Sequence, residues 1–159
     1  MVAAVAVAVA IAGCGGGGGG SSSSSALSNA QYAQQLKGLL LPLGQSLQKL
    51  GSQASAATSK QELVAALDSA DSAVKKAADD VQALNPPSGA ASTNDDLASL
   101  LRSYEGSISK TEQTIKSGSK QEITSQVVTF RSDSSSFTSK LKQIKDRLIS
   151  EGVKLPGGG

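Results

Sequence analysis

Between Ser28 and Gly152, apolar residues recur at alternating spacings of four and three in four successive runs. The first run is Leu36, Leu40, Leu43, Leu47, Leu50, Ala54 and Ala57. The second is Leu63, Leu67, Ala70, Val74, Ala77, Val81 and Leu84. The third is Leu97, Leu101, Tyr104, Ile108, Thr111 and Ile115. The fourth is Ile123, Val127, Phe130, Ser134, Phe137, Leu141, Ile144 and Leu148. This spacing keeps each run on one face of an α-helix. Helices are predicted over about 28–57, 59–85, 93–117 and 119–151.

Local signals place the helix ends. Ser28-Asn29-Ala30-Gln31, Ser59-Lys60-Gln61-Glu62 and Ser119-Lys120-Gln121-Glu122 each read as a capping box, and Leu27 is placed to staple onto Tyr32. Thr93 or Asn94 is expected to cap the third helix, with Asp95 and Asp96 in a first turn that favours negative charge. Asn85-Pro86-Pro87 stops the second helix, because proline disfavours helical geometry in the residue before it. Lys116-Ser117-Gly118 reads as a basic last turn with a glycine cap, and Gly152 with Pro156 ends the fourth helix. Pro42 falls inside the first helix. Because the apolar run keeps phase across it, a kink is expected, with a break at Leu41 as the alternative.

The links between these helices are short, long and short, which makes successive helices antiparallel. The prediction is an all-α, up-down-up-down four-helix bundle over 27–155, with helices ~40–45 Å long. Ser-Lys-Gln-Glu opens both the second and fourth helices, which is consistent with a doubled hairpin. Tyr104 and the seam positions Thr111 and Ser134 are weak points of the apolar runs and mark a thin side of the bundle or a small polar cavity.

The chain ahead of the bundle is of another kind. Residues 2–11 are uncharged and apolar, but a membrane-spanning helix needs about 20 such residues. The run has the length of the apolar region of a signal peptide. Ile11-Ala12-Gly13-Cys14 follows it and resembles the lipobox of bacterial lipoproteins. That resemblance implies a signal peptide over 1–13, removed to leave Cys14 as the diacylglyceryl-bearing first residue. Cys14 is the only cysteine, so no intrachain disulfide can form. A Lys or Arg normally opens such a signal, whereas the first charge here is Lys37, so a start upstream of Met1 is expected. Residues 14–26 read as the lipidated Cys and a Gly/Ser tether with a reach of ~20 Å. Residues 156–159 read as a disordered tail. Leu84-Asn85-Pro86-Pro87 is similar to the Pro-Pro link of small helical lipoproteins in high-GC Gram-positive bacteria, a likeness that carries no activity to transfer.

Composition narrows the chemistry. The chain has no His, and its net charge is +2, so neither a histidine-based metal or catalytic site nor strong nucleic-acid binding is expected. Asp68, Asp71, Asp79 and Asp80 could offer oxygen ligands, but a solvated helix face accounts for them. No serine sits in a glycine elbow with a base. No catalytic residue, cofactor or metal is therefore assigned. Lys140, Lys142, Lys145 and Arg147, with Lys154, crowd the end of the fourth helix. They complement its dipole. In a four-helix bundle they also return to the tether end, where they would meet anionic headgroups. The function expected is a membrane-anchored, non-catalytic protein on the outer face of the cytoplasmic membrane, held there through diacylglyceryl-Cys14. It would be an interaction or scaffold module for an envelope protein, or else a bundle that binds a small apolar ligand.

Overall fold

A computed structural model describes residues 26–155. Residues 1–25 and 156–159, which hold the signal, Cys14, the Gly/Ser run and the terminal glycines, lie outside the described residues. Four helices pack against each other: α1 (Asn29–Ala56), α2 (Lys60–Gln82), α3 (Ala91–Ser117) and α4 (Lys120–Ser150). A 3-10 turn, Ser88–Ala90, precedes α3. All three capping boxes form as their sequences predict. In each, a serine hydroxyl takes the N3 amide and the N3 side chain returns to the serine amide, so two orphan donors are satisfied at once. α1 runs unbroken through Pro42. The break at Leu41 does not occur.

Two ends differ from the sequence prediction. α2 stops at Gln82, three residues short of the predicted end, and the Leu27 amide donates to the Asn85 carbonyl just ahead of Pro86 at 2.9 Å. α3 starts at Ala91 without a side-chain cap, since the 3-10 turn leads straight into it. Thr93 and Asn94 are therefore not caps. They point inward, 1 % and 2 % exposed, and Asp95 and Asp96 fall in the second turn.

α4 closes on Gly152, whose φ of +85° belongs to the left-handed region. The Gly152 amide bonds the Ile149 carbonyl at 3.1 Å, and the Val153 amide bonds the Leu148 carbonyl at 2.9 Å. This is a Schellman closure, and Val153 is driven into the core beside Leu148. A methyl group on Gly152 would also meet Asn29 Nδ2 at 2.9 Å. Gly152→Ala is expected to lower the unfolding free energy by about 1–2 kcal/mol, read from the urea midpoint.

The core is unevenly distributed. Each residue of the predicted α3 run is buried, and so are Leu67, Ala70, Val74, Ala77 and Val81 of the predicted α2 run. On α4, only Phe137, Ile144 and Leu148 of the predicted run are buried, and Ala54 near the end of α1 is exposed. α3 packs closely on both α2 and α4, and α2 on both α1 and α3. α1 and α4 approach each other much less closely. The end of α4 does reach the start of α1, where Asn29 Nδ2 lies 3.5 Å from the Glu151 carbonyl oxygen.

One α2 side chain is poorly placed. Asp71 Oδ1 is buried without a hydrogen-bond partner. Burial, followed by the charges of Glu105, Glu112 and Asp68, pushes the Asp71 carboxyl up, against a smaller opposing effect of Lys75. A raised folded pKa penalises the ionised form. The penalty is absent below the ordinary value of 3.8 and grows as pH rises through the folded value. Asp71→Ala, which also gains helix propensity, is expected to add about 1 kcal/mol near neutral pH. The gain in Tm should shrink as pH falls toward about 4.

Candidate functional site

The thin side foreseen at Thr111 and Ser134 is a cleft. It has a volume of about 490 Å³ and opens where α1 and α4 fail to close. Leu47, Leu50 and Ala54 of α1 form one wall, and Val127, Phe130 and Ser134 of α4 form the other. Leu63 and Leu67 of α2, with Tyr104, Thr111 and Ile115 of α3, supply the floor. The sequence accounts for the gap. The α1 run ends in Ala54 and Ala57, and the α4 run has a serine at position 134, so large side chains are missing where two helices would have to interlock.

The hydroxyls of the floor, Tyr104 and Thr111, and of Ser134 in the α4 wall are hydrogen-bonded. Tyr104 Oη and Ser134 Oγ lie 3.0 Å apart, and the serine hydroxyl also donates to the Phe130 carbonyl at 2.8 Å. Gln126 Nε2 donates to Thr111 Oγ1 at 3.0 Å, and Thr111 donates to the Ser107 carbonyl at 2.7 Å. A floor with its polar atoms satisfied presents mainly carbon to the cleft. Tyr104 stacks on Phe137 with ring centroids 4.2 Å apart, and Phe130 lies 6.0 Å on its other side. Burial pushes the Tyr104 phenol up, so it stays neutral.

A second apolar groove, about 310 Å³, follows the same seam toward the base of the bundle. Leu40 of α1, Leu97 of α3, and Leu141, Ile144 and Leu148 of α4 line it. A different hollow, about 670 Å³, lies between α3 and α4 near their turn. Its lining of Gln, Thr and Ser, with Lys110 and Glu122, is polar and open to water, so it offers an apolar guest nothing.

The basic residues singled out from sequence are dispersed. Arg147 pairs with Asp96 at 2.7 Å, across to α3. Lys140 lines hollows on the α3 side of α4, while Lys142 and Lys145 border the 310 Å³ groove. Cys14 lies outside the described residues. Among the described residues, no three acidic side chains gather closely enough to hold a metal ion. No helix there is long and apolar enough to cross a membrane. Comparison with known protein families, curated proteins and solved structures finds no match.

Proposed function

We propose that this chain is a non-catalytic, lipid-anchored protein of the cell envelope, an up-down-up-down bundle that holds an elongated apolar guest between α1 and α4. The cleft carries this reading. Its volume of about 490 Å³ is that of a small-ligand site, and its lining is mainly carbon. A protein-docking strip has less support. The large apolar residues well exposed among the described residues are Leu41, Val128 and Ile149, which are spread over two helices and singly exposed. The lipobox resemblance at Ile11–Cys14 supports the anchor. Cys14→Ser is expected to abolish incorporation of radiolabelled palmitate.

Titration with hexadecanol, a neutral long-chain probe, tests the cleft in the full chain carrying Cys14→Ser. Saturable binding is expected. Ala54→Trp, which puts bulk into the cleft from an exposed position, should weaken that binding at least ten-fold. Gln53→Trp, one residue outside the lining, should leave it unchanged. Non-saturable uptake, or equal effects of the two tryptophans, would overturn the reading.

A further inference from the structure

Charge is divided between helix pairs. α1 holds Lys37 and Lys49 and no acid, and α4 holds six cations against Glu122, Asp133 and Asp146. α2 and α3 together hold six cations against nine acids. The two helices that leave the seam open are therefore the two with surplus positive charge.

The linings repeat this division. The 490 Å³ cleft has Arg131 and no acid, and the 310 Å³ groove has Lys142 and Lys145 and no acid. Hollows on the α3 side of α4 each include an acid: Glu122, Asp133 or Asp96. Arg131 is exposed at the cleft, and among the described residues its side chain has neither an ion pair nor a hydrogen bond. Arg102 and Arg147, by contrast, each hold an aspartate.

We infer that the guest is a long-chain carboxylate, its alkyl tail on Leu47, Leu50 and Phe130 and its head on the Arg131 guanidinium. This rests on the proposed apolar cleft and adds the chemistry of the head. A guanidinium fork matches a carboxylate with two parallel hydrogen bonds, which an alcohol cannot reproduce. The cleft has room for one chain, whereas a two-tailed phospholipid exceeds about 490 Å³.

The test compares palmitate, hexadecanol and hexadecyltrimethylammonium on the full chain carrying Cys14→Ser, each below its micelle concentration or solubility limit. Palmitate is expected to bind about five-fold more tightly than hexadecanol, with the cation weakest. Arg131→Glu should weaken palmitate about ten-fold and hexadecanol about two-fold or less, and Arg131→Lys should restore part of the loss. Circular dichroism of these surface variants should match the parent. Hexadecanol binding as tightly as palmitate, or palmitate indifferent to Arg131→Glu, overturns the carboxylate assignment and leaves the apolar cleft standing. Failure of all three amphiphiles removes both. Adsorption to phosphatidylglycerol vesicles without binding of monomeric palmitate assigns the cations to a membrane surface and overturns the inference.

Discussion

Asn94→Ala is expected to lower the unfolding free energy by about 3 kcal/mol, a large effect for a single polar side chain. Its carboxamide oxygen accepts from the Tyr32 hydroxyl at 3.0 Å, and its nitrogen donates to the Val81 carbonyl at 3.1 Å. One side chain therefore ties α3 to α1 and to α2. Without it, the Val81 carbonyl still holds the Leu84 amide at 3.2 Å. The Tyr32 hydroxyl loses its acceptor in a fully buried site, which costs about 1–3 kcal/mol, and a cavity adds to that. Tyr32→Phe removes the donor instead, leaves Asn94 Oδ1 without its partner and opens a smaller void, so it should cost about 1–3 kcal/mol, less than Asn94→Ala. Urea unfolding of both single variants and the double variant measures the coupling. An Asn94→Ala effect no larger than that of exposed Asn29→Ala would mean that water reaches the cluster. The phenol has a second signature. Burial, and then the Glu151 charge, push Tyr32 up to about 12. The fold should lose stability as pH rises above the ordinary value of 10.0, and Tyr32→Phe should reduce that loss.

Leu101→Ala should be comparable or larger, at about 2–5 kcal/mol. Leu101 is fully buried in α3, the helix packed closely on both α2 and α4. Val127→Ala, at the half-open α4 wall, should cost about 1 kcal/mol or less, since its methyl groups already border the cleft. A small domain has about 5–15 kcal/mol in total, so the α3 variant should be visibly destabilised and the α4 variant near the parent. Equal losses at the two sites would mean that the seam closes in solution.

Helices and capping boxes were legible because both depend on residues three or four apart. Asn94 was misread for an instructive reason. Polar residues just before an apolar run look like caps, yet stepping back from Leu97 by three and then four reaches Asn94 and Ala90, both buried. The same four-three spacing held the answer, and polarity hid it. The cleft was partly legible, since Thr111 and Ser134 were already out of place on their faces. Its charge pattern was not, because the surplus on α1 and α4 has meaning only once these two helices are known to share a seam. Arg147 was read with its lysine neighbours, but its partner Asp96 lies on another helix and leaves no local trace.

The chain has two tyrosines and no tryptophan, and the fold puts these two phenols in separate places. Tyr32 is sealed among α1, α2 and α3, whereas Tyr104 lies under the cleft between two phenylalanine rings. Ultraviolet emission from this protein is therefore tyrosine light from one sheltered fluorophore and one beneath the opening. With Tyr32→Phe the signal comes from the cleft alone, and with Tyr104→Phe from the sealed end alone, so this small bundle carries its own optical probe and its own reference.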